Sequence, residues 1–309
     1  MQPYSDHLWD VTFFKMKNLN LAILAALLSM MCVQGGASIA KQLFPSIGPI
    51  GTSTLRIGLS AILLFLINRP NLFKLSQKQW LYCSIYGIGI AAMNLIFYMA
   101  IQRIPLGLGV TIEFVGPLFL AFILSKRRID IVWALLASLG ILLIVPWQNS
   151  DIDILGVFLA LIAGSFWALY IIMGGKVSKI MEGKQAVTIG MLIASACIIP
   201  FAIWDGSLSN ITTDVFLKGL GVAIFSSALP FTLDMIALGR LPVKAFSILT
   251  SLQPAFAAFS GLIFLHEYLS WTQWLSVLCV VMASIGTTVF SGSNKTKLIA
   301  EKSINTKQN

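Results

Sequence analysis

Ten stretches of the chain each carry about 20 mostly apolar residues, the length an α-helix needs to cross a bilayer. They centre on residues 20–40, 50–68, 79–101, 106–124, 130–146, 154–174, 187–204, 214–237, 245–264 and 271–290. Each run is continuously apolar rather than alternating with period two, so the pattern predicts helices and excludes a β-barrel. The linkers are short, and only 1–18 and 292–309 read as disordered ends. No room remains for a soluble domain. The leader holds Asp6, Asp10, Lys15 and Lys17, and no small-x-small cleavage site follows the first apolar run. It reads as a cytoplasmic tail, not a signal peptide.

Composition sharpens the picture. Of 309 residues, 57% are hydrophobic and 11% are charged, whereas a soluble domain carries roughly 25% charged residues. Disorder, a nucleic-acid-binding domain and a secreted disulfide scaffold are all excluded. Cys32, Cys83, Cys197 and Cys279 fall inside apolar runs without a CxxC pair and read as small buried hydrophobes. With only His7 and His266 available, no metal site and no cofactor are expected.

The net charge of +9 is explained by where it falls. Placing the N-terminus inside puts on the cytoplasmic side Lys15, Lys17, Arg69, Lys74, Lys78, Lys126, Arg127, Arg128, Lys176, Lys179, Lys184, Arg240 and Lys244. Lys295, Lys297, Lys302 and Lys307 join them. The outer side receives Lys41, Arg103 and Lys218, while Arg56 lies within a span. By the positive-inside rule both termini are cytoplasmic. The charge is topological.

The chain also resembles itself. Arg103-Ile104-Pro105 followed by Gly116-Pro117 returns as Arg240-Leu241-Pro242 followed by Gln253-Pro254, at a constant offset of 137 residues that sets Asp130 opposite Glu267. Two five-helix repeats follow, 19–147 and 148–291. An odd number of crossings inverts the second copy, the arrangement of secondary transporters with a midplane site between halves. Pro117, Pro230 and Pro254 lie inside spans, where proline removes a backbone hydrogen bond and kinks the helix. Gly35, Gly36, Ala160, Gly164, Ala257 and Gly261 are small enough for close helix approach or for plain packing.

A set of longer motifs carries a family likeness. QGGASIAKQLFP (34–45), TSTLRIGLS (52–60), MNLIFYMAIQRIPLG (93–107), IEFVGPL (112–118), SKRRIDIVW (125–133), ALIAGSFWALYI (160–171), ALPFTLDMIALGRLP (228–242) and AFSGLIFL (258–265) run in order. In these the chain resembles the EamA-type drug/metabolite transporter superfamily and, within it, the inner-membrane exporters of threonine and homoserine. The resemblance implies an all-α membrane protein of ten helices and proton-linked efflux of small amino acids. One departure stands out. Where the resemblance leads one to expect Glu-Pro-Ala in the ninth span, this chain has Gln253-Pro254-Ala255.

Charges at membrane depth cost at least about 2.5–3.5 kcal/mol, so each needs a reason. Arg56 and Glu113 lie at equal depth, about two turns in, and form a candidate ion pair. Glu113 either titrates as Arg56 or a substrate amine approaches, or the pair is a fixed bolt between helices. Asp234, one turn from the cytoplasmic end of its span, suits a gating or anchoring pair with Arg240 or Lys244, and otherwise substrate contact. Glu267 and Asp130 sit at helix ends, where a solvated or capping role fits. Gln34 and Ser38 share one helical face with Lys41, itself a candidate interfacial anchor. Asn94 with Tyr98, and Trp167 with Tyr170, repeat that spacing; the latter two also suit ordinary packing. These residues and Gln253 are the candidate substrate pathway.

No G-x-x-x-x-G-K-[ST] motif occurs, so ATP hydrolysis is not expected, and Gly87-Ile88-Gly89 lies in an apolar span with no βαβ unit around it. The partners expected are a small amino acid, protons and the lipid bilayer, with neither nucleic acid nor ATP. A monomer suffices for this reading, and the oligomeric state stays open. An importer or exchanger of another small metabolite is the alternative, and a non-transporting receptor or enzyme is the remote one. With both termini cytoplasmic, a reporter that needs the cytoplasm is expected to be active when fused after Asn309. Activity there of a periplasm-dependent reporter would overturn the topology.

Overall fold

A chain in hydrocarbon must satisfy its backbone polar groups internally, and this one does so with helices. The computed structural model describes residues 6–123, 129–144, 153–243, 246, 249–272, 274–283 and 285–286. The tail 292–309, the cluster Lys126, Arg127 and Arg128, and Lys244 lie outside the described residues, as does the side chain of Asp130. In chain order the helices are α1 (Asp6–Lys41), α2 (Phe44–Asn68), α3 (Gln77–Ile101), α4 (Leu106–Glu113), α5 (Val115–Ile123) and α6 (Ile129–Ile144). There follow α7 (Ile154–Val177), α8 (Gly183–Asp205), α9 (Thr213–Ala223), α10 (Leu229–Arg240), α11 (Gln253–Leu265) and α12 (Trp274–Ala283). A π-helical segment, Ile224–Ala228, joins α9 to α10.

Six helical stretches are long and apolar enough to cross a membrane: Asn20–Lys41, α2, α3, α7, α8 and Thr213–Arg240. Leu106–Leu120, α11 and α12 are shorter apolar helices. The expectation of a disordered leader is corrected from Asp6 onward, because α1 is one continuous helix of 36 residues. At 1.5 Å per residue it is about 54 Å long, well beyond the roughly 30 Å hydrocarbon core. Sequence starts and stops explain other boundaries. Ser76 opens α3 with a reciprocal capping box to Gln79, Asp153 caps α7, and Gly206 closes α8 in the left-handed conformation.

The end of α1, the turn between α3 and α4, the start of α7 and the segment after α11 meet through side-chain contacts. At one end each of Lys41, Arg103 and Lys218 is neutralised, by Glu267 at 2.7 Å, Asp153 at 2.6 Å and Asp214 at 2.6 Å. The Arg103 guanidinium, hydrogen-bonded to Asp153, holds that exposed carboxyl below its ordinary range. At the opposite end Arg69, Lys74, Lys78, Lys176, Lys179 and Arg240 are exposed. The only acid–base pair there among the described residues is Lys184 with Glu182.

Between the ends, α3 packs on α7 and α8, α1 on α10 and α11, α2 on α8 and α9, and α4 on α7 and α11. Tyr86, Tyr98, Tyr170 and Phe114 are fully buried at the centre, while Leu66, Ile203 and other large apolar side chains face outward. Close approach is bought with glycine. A Cβ on Gly36 would overlap that of Ser226 in the π segment, whereas nothing lies within 4 Å of one on Gly35. Gly35→Ala is therefore expected to leave thermal unfolding in detergent unchanged within about 0.5 kcal/mol or slightly raised. Gly36→Ala should lower it by about 1–3 kcal/mol through overpacking. Equal midpoints for the two variants would show that the α1–π contact does not constrain the bundle.

Candidate functional site

The centre of the bundle is organised by prolines that have no N–H to give. In an unbroken helix a residue at 230 would donate to the carbonyl of Ser226 four residues back, and Pro230 has no N–H to do so. Instead that carbonyl accepts from Arg56 Nη2. Arg56 Nε donates to Ser227 Oγ at 2.6 Å, and Nη1 donates to Tyr98 Oη at 2.7 Å. The π segment thus presents a carbonyl and a hydroxyl to one guanidinium, and π-bulges are frequent at functional sites. Ser60 Oγ donates to Ala223 O at 2.8 Å and fastens α2 to the same stretch.

Pro117 acts in the same way on α4. It cannot donate to Glu113 O, and the helix breaks at Phe114 before α5 resumes. The freed Glu113 carbonyl packs against Gly164, where any Cβ would strike it. Pro254 stands two residues into α11, behind a 3-10 turn at Thr250–Leu252 that delivers Gln253 to the interior. There Gln34 Nε2 on α1 donates to Gln253 Oε1.

These breaks surround one cavity, about 520 Å³ of space when the open solvent at its mouth is counted. Of the residues singled out in the sequence, Gln34, Arg56, Asn94, Glu113, Trp167, Tyr170, Asp234 and Gln253 all line it. Ser38 and Tyr98 do not. Ser38 Oγ donates back to Gln34 O at 3.2 Å, and Tyr98 supports Arg56 from behind, its ring 5.3 Å from the guanidinium carbon. Phe114 meets Trp167 edge-on, and Tyr170 is stacked with Tyr86 and edge-on to Phe231.

Three expectations need correction. Arg56 and Glu113 share the cavity wall but form no ion pair within 4.0 Å, since three neutral oxygens take the guanidinium's donors. Asp234 is not paired with Arg240. It faces the cavity and accepts from Tyr170 Oη at 3.0 Å, across the contact of α10 with α7. Lys41 is not a snorkelling anchor. Its Nζ donates to Glu267 Oε1 at 2.7 Å and to Ile104 O at 3.3 Å, both side chains being only 20% exposed. Glu267 Oε2 accepts from the Leu106 N–H at 2.9 Å and so caps α4.

The site therefore combines one guanidinium, two carboxylates and an amide pair on a partly aromatic wall. The threonine/homoserine exporter RhtA of Escherichia coli (strain K12) is 41% identical over 271 residues, covering 87% of this chain and 92% of that protein. The chain belongs to the EamA-like transporter family. The family's profile itself matches residues 154–289. The Salmonella typhimurium (strain LT2) RhtA is 39% identical over 278 residues, with the same coverage of each chain. An uncharacterized transporter of Bacillus subtilis, YwfM, is 26% identical over 266 residues, 81% of this chain and 86% of that one. A solved crystal structure superposes with a TM-score of 0.64 over 87% of this chain and 96% of its own, at 14% identity, and so supports the fold alone. As a member of this family the chain is a multi-pass inner-membrane transporter rather than an enzyme.

Ser226 and Ser227, which hold the arginine, were not singled out by sequence. Their signal was present, since Ser226 lies four residues before Pro230 and must lose its helical donor. Tyr98→Phe keeps the ring contacts with Phe44 and Phe97 and deletes one hydrogen bond to a charged group. Its unfolding in detergent is expected to be easier by about 1.5–3 kcal/mol. An unchanged midpoint would mean that the hydroxyl carries none of the arginine's anchoring.

Proposed function

We propose that this protein exports small amino acids of the threonine and homoserine kind across the inner membrane, by proton antiport with alternating access. The observation that carries the reading is the cavity's charge pattern. Arg56 spends three of its five N–H groups on Ser226, Ser227 and Tyr98, and the remaining two suit an α-carboxylate. Asp234 and Glu113 on the same wall suit the α-ammonium. The RhtA relatives bear the name of threonine/homoserine exporters, which agrees in substrate class and direction.

Ten helices in two inverted repeats, 19–147 and 148–291, with both termini cytoplasmic, complete the proposal. Its support is a symmetry of packing. Exchange each crossing with the one five later, and α1 on α10 becomes α7 on α3, while α2 on α9 becomes α8 on α3. Likewise α1 on α11 becomes α7 on α4, and the pairs α2–α8 and α4–α11 map onto themselves. Repeats of this kind move against each other around a fixed site. The Lys41–Glu267 contact, joining the two repeats beside the start of α4, then closes the outer side.

Glu113 is the seat proposed for the exchanged proton. It is 6% exposed, faces the cavity and makes no ion pair within 4.0 Å, so its charge is the one most open to change by a solute. A two-state carrier needs such a group, biased by both ligands. In proteoliposomes, an imposed pH gradient should drive threonine or homoserine against the proton flux. Solute moving with the protons would make it an importer, and no movement of any solute in a panel would leave a receptor. Glu113→Gln should fold and still exchange substrate but lose acceleration by the gradient. A buried pair broken on one side would cost about 3–5 kcal/mol, but Arg56 keeps its three oxygen partners in this variant, so yield should hold. Gradient-driven transport that survives Glu113→Gln would remove the proton role.

A further inference from the structure

We propose that the Gln34–Gln253 amide pair reads the side-chain hydroxyl of the carried solute, which makes it the specificity element of the cavity. This rests on the reading of that cavity as an amino-acid site. Arg56 accounts for a carboxylate there and the two acids for an ammonium, which leaves the amide pair without a counterpart on the amino-acid backbone.

Both glutamines line the cavity, and they are only 3% and 6% exposed. One hydrogen bond joins them, from Gln34 Nε2 to Gln253 Oε1. Gln34 Oε1 is left buried with no hydrogen-bond partner. Two amides joined by a single bond always leave one carbonyl and one NH2 group over, whichever way round each amide is set. The complement to that remainder is a group that donates and accepts at one atom. A hydroxyl does so. A carboxylate offers only acceptors, an ammonium only donors, and a methyl neither. The pair is also held in position. Ser38 Oγ donates to Gln34 O, Gly36 lets α1 close on the π segment, and the 3-10 turn before Pro254 sets the start of α11.

A site that hydrogen-bonds a hydroxyl discriminates by leaving its own buried groups unpaired when the hydroxyl is missing. Threonine and valine differ by a hydroxyl for a methyl on the same carbon, and serine and alanine test the same group at smaller volume. In proteoliposomes containing the full chain, threonine should move at least about tenfold faster than valine at equal low concentration, and serine faster than alanine by a similar ratio. Gln34→Met with Gln253→Met keeps side-chain length and removes both amides, so the threonine-to-valine ratio should collapse to within about twofold. A wild-type ratio already within twofold overturns the assignment while the amino-acid reading stands, and it does so without needing the double variant to fold. A double variant that keeps the full preference also overturns it. If none of the four amino acids moves, both readings fall.

Discussion

A buried guanidinium sits where a carrier's substrate would be, and its stability depends on an absent hydrogen. Arg56 is 3% exposed in the middle of an apolar bundle, a placement that costs several kcal/mol unless its donors are met. An ordinary residue at 230 would donate to the Ser226 carbonyl inside the helix and compete for it with Arg56. Proline cannot, and the π segment widens the turn so that the carbonyl and the Ser227 hydroxyl both reach the guanidinium. The same five residues therefore break α9 from α10 and make the cation affordable. Asp234 faces the same cavity rather than the charged end of the bundle. Remove the break, and the arginine and its support both lose their reason to be there.

The device is used more than once. Pro117 frees the Glu113 carbonyl, and Gly164 comes close enough to cover it. Pro254 follows a tight turn that carries Gln253 to the partner amide on α1. Each break gives up local helix stability and gains a polar group pointing inward, supported by backbone in protein rather than in lipid. That is the condition under which irregular backbone is tolerated at membrane depth. The glycines at these crossings are the other half of the device, since a freed carbonyl is harmless only if something can approach it.

These relations explain which parts of the molecule could be read in advance. Apolar runs named the six long helical stretches, since hydrocarbon thickness leaves little choice of length. Glycine and proline marked the breaks, and the polar residues between them marked most of the cavity wall. Period alone put Ser38 and Tyr98 beside their helical neighbours Gln34 and Asn94, and it could not tell the lining residue from the one that braces it. Depth alone made Arg56 and Glu113 a pair. What depth omits is competition from neutral oxygens, and these arise from the i−4 carbonyl that Pro230 releases. Asp234 reads from sequence as a neighbour of Arg240 because depth gives its distance from the helix end but not the face of α10 on which it lies. Lys41 reads from sequence as a surface anchor because its acid, Glu267, is distant in sequence and near only after α11 packs on α1 and α4.

The two contacts that tie α1 to α11 and to the residues just after it differ in what happens when they part. Lys41 and Gln34 are seven residues apart on one helix, about 10.5 Å along its axis, so the ion pair and the amide pair lie in line. The ion pair lies at the end of the bundle with both side chains 20% exposed, so on separation water can reach both charges. The amide pair faces the cavity, where separation leaves two more buried polar groups unmet. A solute whose hydroxyl is placed between them can meet them. On the proposed reading, opening along this seam is then easier with cargo aboard than without it. That asymmetry is what an exporter needs at its outer gate, and here it follows from which of two neighbouring contacts water can replace.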